Sequence, residues 1–358
     1  MIETTTWKHN FTNYANIEFI NNTGKQHLEI FQPLAGNKIR LQLNNLYDED
    51  PLNITSLNIY LNSNDKKSIT LNGQSSFDIP ARLVVWSDWI DLEMPDNNFL
   101  SIDLVSSNPT IHSIGMTISN DLVKTENTAI QESKYFFGIS ALQVQTNQEY
   151  KRIAFFGDSL TNQGNFTAPL SLNLESNFQI MAANYGISGN RILHAGNSVS
   201  QWSTSFGEAG FTRFDHMISD FQPNIVVFME GVNDLLHPGT GTPISELPTP
   251  EALIDAVKVL QHKCERHSIS FVPMTLTPAD GNINGGRPAW TDEKESIRLA
   301  VNREILKLPN AIDLAEFVGQ NGQLKPEFDC GDHVHFSANG GKLAAKYIEE
   351  QLIRKRLI

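Results

Sequence analysis

Short apolar runs separated by polar turn residues dominate the first third of the chain. Segments rich in Ile, Leu, Val and Phe recur at roughly ten-residue spacing, which is typical of an antiparallel sandwich or barrel. No helical period longer than two turns interrupts them. The pattern predicts strands at 17–20, 39–43, 56–61, 68–71, 82–85 and 99–105, within a jelly-roll-like antiparallel β-sandwich that covers residues 1–135.

The pattern changes after residue 151, where apolar strand-like runs alternate with amphipathic stretches. We predict strands at 153–156, 180–183, 225–229, 270–275 and 311–314, and helices at 211–221, 250–267, 292–306 and 338–356. Alternation of this kind indicates a parallel sheet covered by helices on both faces, so residues 151–358 are predicted to form an α/β domain. The polar stretch 136–150 is predicted to be the linker between the two domains.

Composition excludes several classes of protein. The 358 residues are 40% hydrophobic and 19% charged, and the net charge is −13. An acidic chain without a basic region argues against nucleic-acid binding, and the apolar runs are too short to span a membrane. The two cysteines are too few for a disulfide framework or a Cys-based zinc site. The amino terminus has no signal-like pattern, so we expect a cytoplasmic protein.

Four polar clusters follow predicted strands of the second half. Ser159 lies in a Gly-Asp-Ser turn, Gly189 and Asn233 follow the next two strands, and Asp332 precedes His335 by three residues. Open α/β sheets bind ligands at the carboxyl ends of their strands. A serine, two candidate oxyanion donors and an Asp/His pair at that edge are the groups that acyl transfer requires.

Each cluster also has a structural interpretation. The Asp158-Ser159 pair would serve equally as a helix cap, Gly189 as a turn glycine and Asn233 as the start of an Asx turn. The nucleophile elbow Gly-x-Ser-x-Gly is absent, because Thr161 stands where its second glycine would be. The functional interpretation therefore depends on all four clusters occurring together.

Taken in order, the four segments resemble the blocks of the SGNH, or GDSL, hydrolase superfamily, and the resemblance covers about residues 150–358. It implies that Ser159 is the nucleophile, His335 the general base and Asp332 the residue that orients His335. It also implies an oxyanion hole formed by the backbone N–H groups of Ser159 and Gly189 and by the side chain of Asn233. No cofactor and no metal is implied.

The sequence around Gly189, Gly231 and Thr275 is similar to that of bacterial GDSL esterases with an N-terminal β-domain. Such esterases are often associated with acetylated plant polysaccharides. This similarity implies a three-layer α/β/α, flavodoxin-like domain and a serine esterase that deacetylates carbohydrates. Its partner would be a small acetylated carbohydrate, with no nucleic acid and no membrane, and a homo-oligomer is compatible with the sequence. The alternatives are a lysophospholipase or thioesterase and a non-catalytic carbohydrate-binding protein.

Two residues depart from the family pattern. Phe336 stands where proline often follows the catalytic histidine, and His333 stands where glycine is common. Phe336 removes no functional group. His333 offers a rival imidazole that could exchange roles with His335.

Several other residues have a weaker claim to function. The segment from Asp280 begins like a calcium loop, but Thr291 occupies the twelfth position, so a solvent loop is favoured over a metal site. For His237, and for Arg287 and Trp290, an ordinary surface loop is favoured over a substrate pocket. Two further tryptophans, three apart on a predicted strand, are expected to point to opposite faces, which favours packing over a sugar platform; they are Trp86 and Trp89.

Overall fold

The computed structural model describes residues 1–17, 24–127 and 134–358, which form a mixed α/β protein with a β-rich amino-terminal region. The chain divides into two compact units. Unit 1 comprises Met1–Lys151 and Ser171–Ala183, and unit 2 comprises Arg152–Leu170 and Asn184–Ile358. Among the described residues, no helix is both long enough and apolar enough to cross a membrane.

Unit 1 is built from antiparallel strands. They are β1 (Ile2–His9), β2 (Thr12–Asn13), β3 (Lys25–Gln32), β4 (Gly36–Asn45), β5 (Leu52–Tyr60), β6 (Lys67–Ser68), β7 (Phe77–Ile79), β8 (Leu83–Trp86), β9 (Ile90–Met94), β10 (Asn98–Ser106), β11 (Ser113–Met116), β12 (Val123–Asn127) and β13 (Tyr135–Thr146).

The segment 136–150, predicted to be a linker, is instead mostly strand. Strand β13 lies between β1 and β4 and pairs with both in antiparallel register, with Leu142 opposite Leu41. Leu142 and Val144 are completely buried. The prediction was wrong because the polar residues that alternate with these apolar ones, such as Gln143 and Gln145, made a half-buried strand look like a loop.

The other sheet of unit 1 has the order β12-β3-β10-β5-β6, and β7 also pairs with β5. Its residues alternate between buried and partly exposed positions, as in β10, where Leu100, Ile102 and Leu104 are buried. They lie opposite apolar residues of β3, so that Leu100 pairs with Ile30. This alternation buries one face of the sheet and leaves the other polar.

The predicted strands of unit 1 have different outcomes. Strands corresponding to 39–43, 56–61, 82–85 and 99–105 are present, whereas the one at 68–71 is reduced to Lys67–Ser68. The predicted strand at 17–20 lies, apart from its first residue, outside the described residues. Strands β1, β3, β11 and β12 were not predicted, because polar residues interrupt their apolar pattern.

Trp86 and Trp89 do not lie on opposite faces. Strand β8 ends at Trp86, so the strand geometry assumed for the pair does not reach Trp89. The guanidinium of Arg40 lies over both rings, 4.8 Å from the centre of Trp86 and 4.6 Å from that of Trp89. The two indoles therefore flank one arginine, which also donates to Gln143 and Glu3.

Unit 2 contains parallel strands in the order β15-β14-β16-β17. Its strands are β14 (Arg152–Gly157), β15 (Met181–Gly186), β16 (Ile225–Met229) and β17 (Ser270–Pro273). Strand β15 begins in unit 1, and its residues 184–186 belong to unit 2. The predicted strand at 311–314 is only an isolated parallel bridge between Ile312 and Met274.

Helices alternate with these strands. They are α1 (Ser159–Asn162), α2 (Thr167–Phe178), α3 (Gly210–Phe221), α4 (Val232–Leu236), α5 (Pro250–Arg266), α6 (Asp292–Ile305), α7 (Leu314–Val318) and α8 (Ala338–Arg354). The three long helices α5, α6 and α8 start at side-chain caps supplied by Thr249, Thr291 and Ser337. Such caps satisfy backbone N–H groups that have no acceptor within the helix. Two small hairpins pair β18 (Ile283–Asn284) with β19 (Arg287–Pro288), and β20 (Gly319–Gln320) with β21 (Gln323–Leu324).

Candidate active site

Ser159 lies just beyond the carboxyl end of β14. This strand pairs in parallel with β16, and Gly157 lies opposite Met229 at the end of both strands. A Cβ atom on residue 157 would lie 2.2 Å from the carbonyl oxygen of Met229, so only glycine allows the strands to end this closely. Asp158 caps α1 by accepting the N–H of Leu160. Ser159, the first residue of α1, is thereby fixed at the carboxyl edge of the sheet.

Ser159, His335 and Asp332 form a continuous hydrogen-bonded chain. The Nε2 atom of His335 lies 2.6 Å from the Oγ atom of Ser159. The Nδ1 atom of the same ring lies 2.5 Å from Oδ2 of Asp332. The structure thus brings together the three residues expected from the sequence, although 176 positions separate Ser159 from His335.

The loop that carries the histidine is shaped by its own carboxylates. Oδ1 of Asp332 accepts the N–H groups of Val334 and His335. Oδ1 of Asp329 accepts those of Gly331 and His333. These bonds hold the loop in a turn that directs the imidazole of His335 toward Ser159.

His333 takes a different partner from His335. Its Nδ1 atom lies 2.9 Å from Oδ2 of Asp329, and its backbone is in the left-handed region with φ +67°. The contact with Ser159 is made by His335, so the geometry gives no support to an exchange of roles between the two histidines. Asp329, Cys330 and Asp332 lie close together, but both carboxylates are already engaged within the loop.

Phe336 anchors the end of this loop. Its ring is 1% exposed and packs edge-on against Phe166 and Phe328. Its carbonyl oxygen accepts the side-chain N–H of Asn165 at 2.7 Å. The departure from the family's proline therefore replaces a rigid residue with an apolar anchor.

Asp332 is ionised in the folded protein near neutral pH. Partial burial opposes its charge, but hydrogen bonds from His335 and from the backbone N–H groups of the loop outweigh burial and lower its pKa below the usual value. Because a carboxylate accepts and does not donate, it holds the proton of the imidazole on Nδ1 and leaves Nε2 to face the serine.

Three N–H groups were expected from the sequence to form the oxyanion hole. Within the described parts of the chain, the backbone N–H groups of Ser159 and Gly189 have no hydrogen-bond acceptor. The Nδ2 group of Asn233, at the start of α4, donates one hydrogen to the carbonyl oxygen of Asn190 at 3.0 Å. Its second hydrogen remains available. Donors of this kind are suited to stabilise a developing oxyanion.

Gly189 is required by its conformation and by its neighbour. Its φ is +76°, and a Cβ atom there would lie 2.1 Å from the ring of Phe206. The aromatic ring therefore packs directly on the glycine backbone, beside the N–H group expected to bind the oxyanion.

Arg213, which was not identified from the sequence, ties the strand ends together beneath the site. It is 7% exposed and donates to the carbonyl oxygens of Gly157 and Tyr185 at 2.8 and 2.5 Å. It also donates to the side chains of Asn190 and Glu230 at 2.6 and 3.2 Å. The sequence feature that could have identified Arg213 is its position on the apolar face of α3, next to Phe214 and four residues before Met217.

Buried carboxyl groups complete this layer. The pKa of Asp158 is raised well above its usual range, first by burial and then by the nearby Glu230. Burial raises the pKa of Asp234 to about 7, against the opposing effect of the N–H groups of Ile192 and Leu193 that it accepts. Asp234 thus fastens the chain that follows Gly189 and Asn190 to α4.

The remaining candidates are distributed as follows. The segment that begins like a calcium loop contains the hairpin β18–β19, and its Asp280 accepts from Gln323. Trp290 is buried and donates to Glu295, whereas Arg287 is exposed on the hairpin. The expectation of a surface loop was wrong for His237 and for Trp290, which are 7% and 8% exposed.

Several solved structures are similar to this chain. A GDSL-like lipase from Bacteroides thetaiotaomicron is 18% identical, with a TM-score of 0.41, and the match covers 57% of this chain and 89% of that one. A lipase/acylhydrolase from Enterococcus faecalis is 20% identical, with a TM-score of 0.42 and coverages of 56% and 95%. An acetylxylan esterase from Geobacillus stearothermophilus is 17% identical, with a TM-score of 0.42 and coverages of 56% and 94%.

A comparison with curated protein sequences gave no match. The comparison with family models did give one. Residues 155–343, more than half of the chain, match the model of the GDSL-like lipase/acylhydrolases. That span runs from strand β14, which precedes Ser159, to the start of α8, which follows His335. The chain therefore belongs to the GDSL-like lipase/acylhydrolase family.

Proposed function

We propose that this protein is a serine esterase that works through an acyl-enzyme. The observation that carries the proposal is the unbroken chain from Ser159 Oγ through both nitrogens of His335 to Asp332. A base bonded to the serine and a carboxylate bonded to the base are the arrangement that activates a hydroxyl nucleophile.

In the acylation step, Ser159 attacks the ester carbonyl carbon while His335 takes the hydroxyl proton. The oxyanion accepts hydrogen bonds from the N–H groups of Ser159 and Gly189 and from the amide of Asn233. When the tetrahedral intermediate collapses, His335 gives its proton to the leaving alcohol. Water then attacks the acyl-enzyme by the same route and releases the acid, with Asp332 stabilising the imidazolium each time.

We further propose that the acyl group is acetyl and that the alcohol is a carbohydrate. The support is the resemblance of the segments around Gly189, Gly231 and Thr275 to esterases of that kind. The acetylxylan esterase among the similar structures agrees with this choice, but its low similarity adds no weight to it. A lysophospholipase or thioesterase would instead prefer long acyl chains.

For the fold, we propose a three-layer α/β/α arrangement in unit 2, flavodoxin-like in strand order, and a β-sandwich in unit 1. The order β15-β14-β16-β17 supports the first, because the second strand lies on one side of the first and the later strands follow on the other side. The alternating burial of β5 and β10 supports the second, because each presents one apolar face.

The test is acetate release from acetylated xylo-oligosaccharides by the wild type and by Ser159→Ala, with 4-nitrophenyl acetate as a general ester. We expect the wild type to act on both and the variant to lose at least about 10³-fold in kcat on both. Equal rates for the two proteins would refute the serine mechanism. Ser159-dependent cleavage of the nitrophenyl ester alone, or a preference for long acyl chains, would refute the substrate.

A further inference from the structure

His237 shares a helix face with Asn233, one of the expected oxyanion donors. His237 follows α4 in helical conformation, with φ −68° and ψ −41°, and its N–H donates to the carbonyl oxygen of Asn233 at 3.1 Å. Side chains four residues apart on a helix lie one above the other, with their Cβ atoms about 5–6 Å apart. The imidazole is therefore a neighbour of the Asn233 amide.

A second contact links His237, through Phe206, to Gly189, which is another of the expected oxyanion donors. The ring of Phe206 packs on the backbone of Gly189, where even a Cβ atom would collide with it. The same ring lies 5.1 Å, centre to centre, from the imidazole of His237. Gly189, Phe206, His237 and Asn233 thus form one continuous wall, and Phe206 is only half-buried.

The ring nitrogens of His237 are the third feature of this wall. The residue is 93% buried, since its exposure is 7%. Among the residues that the structure describes, none forms a hydrogen bond with either ring nitrogen. Its backbone carbonyl, by contrast, accepts the N–H groups of Thr240, Gly241 and Thr242 at 3.0, 2.7 and 3.0 Å. The main chain is held firmly, and the ring nitrogens are left able to bind a further polar group.

The imidazole is also uncharged in the range where an esterase would be assayed. Burial first, and then the cations Arg191 and Lys294, lower the pKa of His237 to about 4 against the opposing effect of Glu246. A neutral imidazole has one N–H donor and one nitrogen acceptor. A hydroxyl group also donates and accepts, so it is the simplest complement to this ring.

We propose that His237 binds a hydroxyl group of the alcohol part of the ester, and that this contact makes the site select acetylated polyols such as sugars. The inference rests on the proposed esterase function and specifies its substrate class. The acetyl group has no hydroxyl to offer, so the hydroxyl must come from the alcohol part, and an alcohol part without a further hydroxyl would leave the imidazole unpaired. A site built to hydrogen-bond a substrate hydroxyl discriminates strongly against analogues that lack it.

The experiment compares two acetate esters with rings of the same size. An acetylated methyl xyloside carries free hydroxyl groups, and cyclohexyl acetate carries none. In His237→Phe, which keeps the aromatic contact with Phe206, we expect kcat/KM for the xyloside to fall about 10–100-fold more than kcat/KM for cyclohexyl acetate. His237→Gln, which restores a donor and an acceptor, should recover part of this ratio.

The matched control is His216→Gln, at an exposed position of α3, which should change neither value. Binding is measured separately from catalysis by titrating the acetylated xyloside into Ser159→Ala and Ser159→Ala/His237→Phe. We expect the second protein to bind at least about ten-fold more weakly. Thermal unfolding of each variant shows whether it is folded.

Equal losses of kcat/KM on both esters would overturn the inference in favour of a purely structural His237, and unchanged kcat/KM values on both esters would overturn it altogether. These results differ from a failure of the proposed function. In that case Ser159→Ala would hydrolyse esters as well as the wild type does. If hydrolysis depends on Ser159 while the His237 variants keep the wild-type ratio, only the inference about the hydroxyl contact is wrong.

Discussion

A single carboxylate, Asp332, holds both the main chain and the imidazole of the loop that ends at His335. One oxygen accepts two backbone N–H groups and the other faces Nδ1 of the ring. The short spacing from Asp332 to His335 is therefore a local structure in itself, formed by a turn of four residues. Ser159 is not part of this local structure; the fold brings it close from the end of β14.

Asp332→Asn should reduce kcat by about 10²–10⁴-fold with little change in KM. An amide at this position can donate to the ring, which would favour the wrong tautomer of His335, and it cannot stabilise the imidazolium. Steady-state kinetics on 4-nitrophenyl acetate measure the effect.

The neighbouring histidine provides the control for that variant. His333→Gln removes an imidazole two residues away that bonds to Asp329 and not to Ser159. We expect its kcat to stay within about three-fold of the wild type, a change below 1 kcal/mol. A large loss in His333→Gln together with an active Asp332→Asn would assign the base to His333.

Gly189→Ala should impair both stability and turnover. Alanine at φ +76° is strained, and its Cβ atom would collide with Phe206 and displace the N–H expected to bind the oxyanion. Gly73→Ala is a matched control, because its φ is +77° and a Cβ atom would meet nothing within 4 Å. The control should lose about 1 kcal/mol of unfolding free energy and keep its kcat. If both variants keep the wild-type kcat, Gly189 has no part in catalysis.

At the scale of elements, the site depends on how three strand ends meet. Arg213 of helix α3 is buried and bonds to residues at the ends of β14, β15 and β16. It also donates to the side chain of Asn190, whose carbonyl oxygen accepts the amide of Asn233. Arg213 also lies 3.8 Å from the ring centre of Phe156. A planar guanidinium can satisfy several acceptors at fixed angles, which an ammonium group cannot.

We therefore expect Arg213→Lys to lower kcat about 10–100-fold with KM nearly unchanged. The effect should be non-additive with Asn233→Ala, because Arg213 acts partly through Asn190 and Asn233. Kinetics of the two single variants and the double variant measure this coupling.

Arg298→Lys is the control for burial alone. Arg298 is 5% exposed and bonds to Leu276 and Glu295, away from the three strand ends. It should lose stability but show additive kinetics with Asn233→Ala. Additive kinetics for Arg213→Lys as well would mean that Arg213 only stabilises the fold.

On the scale of the whole molecule, several acidic groups are buried and resist ionisation. Glu175, on the part of α2 that belongs to unit 1, is 3% exposed and, among the residues that the structure describes, accepts only the N–H of Ala182. Burial raises its pKa well above the usual 4.5. Because the folded protein holds this proton more tightly than the unfolded chain does, the free energy of unfolding falls as the pH rises above about 4.5.

Glu175→Gln should remove this contribution. A glutamine keeps the acceptor for Ala182 without an ionisable proton, so the variant should be more stable than the wild type at pH 8, by about 1–3 kcal/mol. The difference should shrink toward pH 4, where the carboxyl is protonated in both states. Denaturant unfolding at both pH values tests this, with the exposed Glu327→Gln as control. A pH-independent difference would contradict the explanation.

Local signals were sufficient for the helices α3, α5, α6 and α8 and for buried strands such as β14 and β16, whereas α2 was not predicted. The amphipathic pattern and caps of α5, α6 and α8 lie in the sequence itself, and apolar runs such as Ile225–Met229 are long enough to identify a buried strand. Where polar residues alternate with apolar ones, as in β13, the sequence alone does not distinguish a half-buried strand from a loop. That distinction depends on which partners cover the strand.

The amino-acid sequence by itself determined the local chemistry: which residues could cap, turn or react, and the order of the four motifs that contain Ser159, Gly189, Asn233 and the Asp332/His335 pair. The tertiary structure alone decided which histidine meets the serine, that Arg213 links the strand ends, and that His237 is buried against Phe206. The physical reason is the separation along the chain of the residues that interact. Caps and turns are set by neighbours along the chain, whereas burial and contacts between distant residues exist only once the strands and helices have packed together.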